Sequence, residues 1–277
     1  MNTTISDLYA ELAKQNITDT PARIDFLTEY FLGKPYLTHP QGEGADGEID
    51  QAPFYRFDGF DCVTYVNNTL ALALSEDLYS FQEKLLAINY YDSKPLFENR
   101  FHFMSVDWNI QNQNNHSVVD ITEKIVDKHN TPICLFAEGD IDRPSWFLKR
   151  AENEMSSRAN HLKEISKKVK KEWARLPYLP LFTLFDDNKN PHDDLFNQIP
   201  HASIIEIVRP NWQLKEKIGT NLHVSHVGFA VRNVSGALFF RHASSEQKCV
   251  VEILLSDYLK NFLESPTIKG IHVQLIL

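Results

Sequence analysis

The chain is short of cysteine, of net positive charge and of long apolar runs, and each shortage removes a class of function. Its three cysteines, Cys62, Cys134 and Cys249, are too few and too scattered for a disulfide framework or a CxxC-type zinc site. At most one bridge can form, leaving one thiol free. With 28 Lys+Arg against 37 Asp+Glu the formal charge is −9, so no basic field exists to hold a nucleic-acid backbone or an anionic bilayer. No apolar run approaches the ~20 residues of a membrane span. The opening Met1-Asn2-Thr3-Thr4-Ile5-Ser6-Asp7 carries no basic and then apolar leader; a trimmed chain starts the same way, so the compartment is inferred from chemistry. HExxH, GxSxG, GxGxxG and P-loop spacings are missing, which leaves zinc peptidase, serine hydrolase and nucleotide readings without support. The stretch Asp186-Asp187-Asn188-Lys189-Asn190-Pro191 imitates the start of a calcium loop, but Pro191 stands where glycine is needed and Asn197 where the bidentate acid belongs.

What is present is an ordinary globular composition. The 277 residues are 43% hydrophobic and 12% aromatic, enough for a sizeable core and too apolar for a solvating segment. Helical periodicity dominates the first third, from Ser6 to Leu12 and from Thr20 to Leu27, where Thr20 reads as the cap and Pro21 as a first helical position. Gly33-Lys34-Pro35 stops that helix, and the glycine-rich acidic stretch from Pro40 to Asp50 reads as a solvated loop. Val63, Val66, Leu70 and Leu74 mark a core helix beginning beside Cys62. Arg143 to Arg175 reads as a long helical region broken near Pro144, with a solvated face formed by Lys163, Lys167, Lys168, Lys170 and Lys171. The period then changes to that of strands over 202–208, 222–231, 237–243, 249–254 and 271–277. Helices first and sheet last predict an α+β fold. The expected organisation is one domain over 1–277, with N-terminal helices and a loop over 1–50 and a helical insertion over 142–200.

The strongest chemical signal is Phe57-Asp58-Gly59-Phe60-Asp61-Cys62-Val63-Thr64-Tyr65-Val66, a cysteine opening an apolar helix behind a capping aspartate. The macrodipole and free amides of a first helical turn favour thiolate and draw a thiol pKa from ~8.5 toward neutrality. The plainer alternative is a buried packing cysteine, which is the reading given to Cys134 and Cys249 in their apolar runs. A thiolate nucleophile needs an imidazole to relay its proton and a third polar group to orient that ring. In Val224-Ser225-His226-Val227-Gly228-Phe229-Ala230-Val231, strand alternation places His226 on one face with small neighbours. The turn signal Asn233-Val234-Ser235-Gly236 follows, then Leu238-Phe239-Phe240-Arg241-His242-Ala243-Ser244. A hairpin centred on residue 234 puts His226 directly opposite His242, at ~5 Å; an even loop count without a bulge would send the rings to opposite faces.

Asp61-Cys62, Ser225-His226-Val227-Gly228 and His242-Ala243, in that order, resemble the cysteine hydrolases of the NlpC/P60 superfamily, with its papain-like core. Phe31-Leu32-Gly33-Lys34-Pro35-Tyr36, Phe60-Asp61-Cys62-Val63-Thr64-Tyr65-Val66, Asn99-Arg100-Phe101-His102 and Asp107-Trp108 more specifically resemble the bacterial DUF1460 family. That resemblance implies an N-acetylmuramoyl-L-alanine amidase acting on peptidoglycan or its muropeptide fragments, without metal or cofactor. It makes Cys62 the nucleophile, His226 the general base and then acid, and His242 the orienting member. The Cys62 amide would supply one oxyanion donor, and Tyr55, by analogy with a tyrosine upstream of the cysteine, the second. Arg100, His102, Asp107, Trp108 and Asn112 are the substrate-binding candidates: Arg100 for a stem carboxylate, Trp108 for a sugar face, the others for hydrogen bonds. Their alternative is an ordinary loop held by its own hydrogen bonds. Asn67 stands where an acid is expected after the cysteine block. The substrate class implies a periplasmic or secreted location. Rival readings are a stem-peptide endopeptidase cutting between D-glutamate and the diamino acid, a noncatalytic wall-binding module, and a lipid acyltransferase of permuted order, in which the histidine would precede the cysteine.

Overall fold

The computed structural model describes residues 4–277; Met1 to Thr3 of the opening segment lie outside the described residues. The chain begins with α1 (Ile5–Lys14), α2 (Thr20–Tyr30), α3 (Cys62–Ala73) and α4 (Leu78–Asn89), and a π-helical turn over Met104–Trp108 runs into α5 (Asn109–Asn114). Next come β1 (Val118–Asp120), β2 (Leu135–Asp142), α6 (Arg143–Ala151), α7 (Ser156–Lys168), β3 (Lys171–Pro180), α8 (Leu181–Leu184) and α9 (Asp193–Phe196). The remainder is β4 (Ser203–Trp212), α10 (Lys215–Ile218), β5 (Leu222–Arg232), β6 (Leu238–Ser244), β7 (Cys249–Leu254), α11 (Leu255–Lys260) and β8 (Gly270–Ile276).

The strands form one antiparallel sheet in the order β2-β3-β8-β4-β5-β6-β7, with β1 also paired to β8. One face packs on the N-terminal helices through Ile24, Leu70, Phe229 and their neighbours. The opposite face packs on α8, α9 and α11 through Ile205, Phe240 and Leu255. This is the α+β arrangement expected from the change of period, and each strand foreseen in the last third is present.

Local physics explains how the helices begin. Thr4 and Asp7 form a reciprocal capping box on α1. At α2 the cap is Asp19, whose carboxylate accepts from the Ala22 amide at 3.0 Å, so Thr20 lies inside the helix and Pro21 falls where no amide proton is required. Helix α3 is buried on every side from Thr64 to Ala73, beyond the single stripe its apolar spacing marks. Its polar members are paired inside the core: Asn67 accepts from the Trp108 indole at 2.8 Å and donates to the Asn89 side chain. An acid at position 67 would bring a charge into that interior.

Two expectations need correction. The 142–200 segment is not wholly helical: Pro144 sits in the first turn of α6 instead of breaking a helix, and Lys171–Pro180 is strand β3, paired with β2 from Leu135↔Tyr178 to Asp142↔Lys171 and with β8 at Leu179↔Ile271. The lysines of α7 are solvated as expected. The acidic stretch over 40–50 is tied down instead of floating in solvent. The Glu43 carboxylate accepts from the amides of Ile49, Asp50 and Phe97, and Ile49 is buried with Phe97, Phe147 and Leu162 of the α6–α7 hairpin. His161 of α7 sits 2.8 Å from Glu48 and 3.0 Å from Glu98, closing the same junction.

Candidate active site

Cys62 is the first residue of α3. Asp61 caps the helix by accepting from the Thr64 amide at 2.8 Å, while its own amide donates to the Thr64 hydroxyl at 3.0 Å. This box fixes the turn, so the Cys62 sulfur meets the backbone amides of Val63, of Cys62 itself and of Val227 on β5, all of which favour its ionised form. Burial outweighs them and, with the Asp61 carboxylate adding to it, pushes the thiol up to about 12. The dipole argument foresaw a shift in the opposite direction. It omitted the desolvation that comes with seating the sulfur against a sheet, so the resting group is a thiol.

His226 and His242 do converge. His226 Nε2 lies 2.7 Å from His242 Nδ1 with the rings nearly perpendicular. The register differs from the expected one: Arg232 pairs with Leu238 and Phe229 with Arg241, so the hairpin is centred on residue 235 and His242 falls opposite Gly228. The five-residue loop is set by Asn233, whose side chain accepts from the Ser235 and Ala237 amides at 3.0 Å. Its odd length keeps both rings on one face, and their contact runs along the diagonal. Gly228 makes this possible, because a Cβ there would lie 2.8 Å from His242 Cβ and 2.6 Å from the Arg241 carbonyl.

Burial keeps both rings neutral, holding His226 near 4 and His242 near 3, the latter also lowered by His226. In the unfolded chain they take up protons near 6.5. The unfolded state therefore binds more protons below that value, and stability falls as the pH drops from about 6.5 toward 4. Denaturant unfolding at pH 7 and pH 5 should show this loss, and His242→Asn, with one such ring fewer, should show a smaller one; an equal pH dependence in both proteins would contradict it.

Cys62, His226, Val63, Val227 and His102 line one cleft of about 550 Å³, whose far wall is formed by Leu222, His223 and Val224. His102 is the substrate-binding candidate that the fold delivers to this cleft. Its Nε2 lies 2.7 Å from the Phe97 carbonyl and its ring packs 4.6 Å from Trp146 of α6, so the α6–α7 hairpin backs this side chain. Burial and the charge of Arg100 drop His102 well below the usual histidine range.

The other candidates are used internally. Arg100 is paired with Asp50 at 3.0 Å over the rings of Tyr90 and Phe97. Asp107 is fully buried, ion-paired with Arg143, and accepts from the Tyr91 hydroxyl at 2.6 Å and the Phe103 amide at 3.0 Å. Trp108 is fully buried, so no ring face is open to a sugar. Asn112 donates to the Trp108 and Ile88 carbonyls inside the core. Asp107 and Trp108 belong to the π-helical turn, which carries them inward, Trp108 against Asn67 of α3.

Tyr55 also lies elsewhere: its ring stacks among Phe57 and Phe81, its hydroxyl is 3.5 Å from Gln82 Nε2, and it lines a separate apolar groove with Phe54 and Leu85. A tyrosine that does feel the charge of Cys62 is Tyr36, pushed up to about 12 by burial, with Cys62 and Asp61 adding to it. Neighbouring backbone bonds bring it there, Leu37 N to Phe60 O and Phe60 N to Pro35 O. Tyr258 of α11 was also missed. Its ring lies 5.1 Å from that of His242, and burial and Cys62 raise its phenol. Tyr36 was visible only as part of a motif block, and Tyr258, in a six-residue helix, carried no sequence signal.

Comparison with known proteins gives the family. Residues 26–267 match the AmiA-like family, described as N-acetylmuramoyl-L-alanine amidase-like. A Legionella pneumophila protein of the DUF1460 family is 40% identical, with 98% of this chain and 94% of that chain covered and a TM-score of 0.92. An N-acetylmuramoyl-L-alanine amidase from Bacteroides uniformis shares the fold at 22% identity, covering 93% and 99% of the two chains with a TM-score of 0.63. A putative xylanase from Bacteroides fragilis does so at 23% identity, covering 90% and 99%, with a TM-score of 0.61. No curated protein matches the chain. With the family match spanning most of its length, and with a DUF1460 relative sharing two residues in five, this chain belongs to the AmiA-like family of N-acetylmuramoyl-L-alanine amidase-like proteins.

Proposed function

We propose that this protein is a cysteine-dependent cell-wall amidase that cleaves the bond between the lactyl group of N-acetylmuramic acid and the first alanine of the peptidoglycan stem. The carrying observation is that His226, held by His242 at 2.7 Å, lines the same cleft as Cys62 at its helix N-terminus. A cysteine helix packed on an antiparallel sheet, with two histidines on adjacent strands, also supports placing the chain in the papain-like NlpC/P60 superfamily.

The mechanism follows from the ring atoms. His226 Nε2 is engaged by His242 Nδ1, so Nδ1 is left to take the thiol proton, and the resulting thiolate and imidazolium neutralise each other. The sulfur adds to the lactyl carbonyl, and the oxyanion is met by the Cys62 amide and by Tyr36, which takes the role first assigned to Tyr55. As the C–N bond breaks, His226 returns the proton to the alanine nitrogen. A water that gives its proton to the same ring then opens the thioester. This substrate class supports a periplasmic or secreted location.

Digestion of purified muropeptide followed by mass analysis tests the reading. The expected products are intact stem peptide and free N-acetylmuramic acid sugar. A stem split between D-glutamate and the diamino acid would make the protein an endopeptidase, and no cleavage would make it a binding module.

A further inference from the structure

We propose that His223 is the specificity residue of the cleft, hydrogen-bonding the uncharged muramoyl side of the substrate while the charged stem stays outside. The inference rests on the amidase reading and assigns the two halves of that substrate to places.

His223 sits three residues before His226 on the same strand and lines the same cleft. It is only 3% exposed, yet its Nδ1 is buried with no hydrogen-bond partner. Buried polar atoms are nearly always paired, and an unpaired one is destabilising unless a ligand or water meets it. The fold makes room for the ring at Gly139 of β2, where a Cβ would come within 3.3 Å of His223 Nε2. Burial keeps the imidazole neutral, so it offers one donor and one acceptor and no charge.

The rest of the cleft has the same character. No Asp, Glu, Lys or Arg lines it among the described residues. The two charged residues that the sequence offered for substrate are committed elsewhere, Arg100 to Asp50 and Asp107 to Arg143. A stem carboxylate or a diamino-acid ammonium would enter without a counter-charge and lose its hydration. The muramoyl group carries an acetamide, hydroxyls, an ether and the lactyl carbonyl, all neutral and able to hydrogen-bond. Met104, Phe103 and Leu222 supply apolar walls for its carbon skeleton.

The test compares two substrates, N-acetylmuramoyl-L-alanyl-D-isoglutamine and the sugar-free N-lactoyl-L-alanyl-D-isoglutamine. His223→Phe keeps the ring and removes both nitrogens. It should lower the muramoyl-to-lactoyl ratio of kcat/KM roughly tenfold, mainly through KM, with His223→Gln restoring part of it. Equal losses on both substrates would make His223 merely structural and overturn the proposal, as would an unchanged ratio. Binding of N-acetylmuramoyl-L-alanine to Cys62→Ala and to Cys62→Ala/His223→Phe, measured by calorimetry, separates the two levels. Weaker binding by the double variant supports His223 even if the parent chain cuts neither substrate, which would sink the amidase reading alone. Equal binding by both variants overturns the role of His223 whatever the parent chain hydrolyses.

Discussion

Cys62→Ala should lower amide hydrolysis by about a thousandfold or more while leaving the fold intact, because it removes the atom that forms the covalent intermediate in the proposed mechanism. The side chain is half-buried and takes no part in the capping box, which belongs to Asp61 and Thr64, so helix α3 should start where it does now. Alanine is also compatible with a first helical position. Release of free stem peptide, followed by chromatography with the thermal midpoint measured in parallel, checks both halves of the expectation. A variant that keeps the parent rate would remove the cysteine mechanism, and the two imidazoles would need another explanation.

The largest stability effect is expected at Arg143. Its guanidinium is 8% exposed and pairs with the fully buried Asp107 and, at 2.9 Å, with Glu172 of β3. Arg143→Met leaves the Asp107 carboxylate in the interior with the Tyr91 hydroxyl and the Phe103 amide but no counter-charge. Breaking such a pair typically costs about 3–5 kcal/mol, or a fall in Tm of roughly 10 °C for a chain of this size. The double variant Arg143→Met/Asp107→Asn should recover much of the loss, since it removes the orphaned charge as well. Urea unfolding of the parent, single and double variants measures this. A single variant as stable as the parent would show that the carboxylate finds solvent, and Asp107 would return as a candidate for contacting substrate.

Those two sites show what was legible in the residues. Asp61-Cys62 was readable because a cap, a thiol in the first turn and an apolar helix are all local features. The histidine pair was readable because face parity survives a two-residue error in register, from a centre at 234 to one at 235. The charge state of the sulfur was not readable, since it depends on how deeply the sheet covers it. Strand β3 was hidden because Lys171, Glu172, Ala174 and Arg175 favour helix, and only pairing with β2 and β8 decides otherwise. Arg100, Asp107, Trp108 and Asn112 have the chemistry of ligand contacts, but their partners are Asp50, Arg143, Asn67 and backbone carbonyls distant in sequence. His223 carries no motif, and its interest comes from a nitrogen left unpaired once everything else is packed.

The backing of His102 in the cleft is hung on different scaffolding from Cys62 and the two histidines. His102 packs against Trp146 of the α6–α7 hairpin, whose own small interior with Ile49 and Phe97 is distinct from the clusters that hold Cys62, Val227 and Phe240. Lengthening or trimming that hairpin should shift the support of His102 and leave Cys62, His226 and His242 where they are. Changes at the hairpin should therefore alter which molecules the cleft admits more than where its thiol and imidazoles stand.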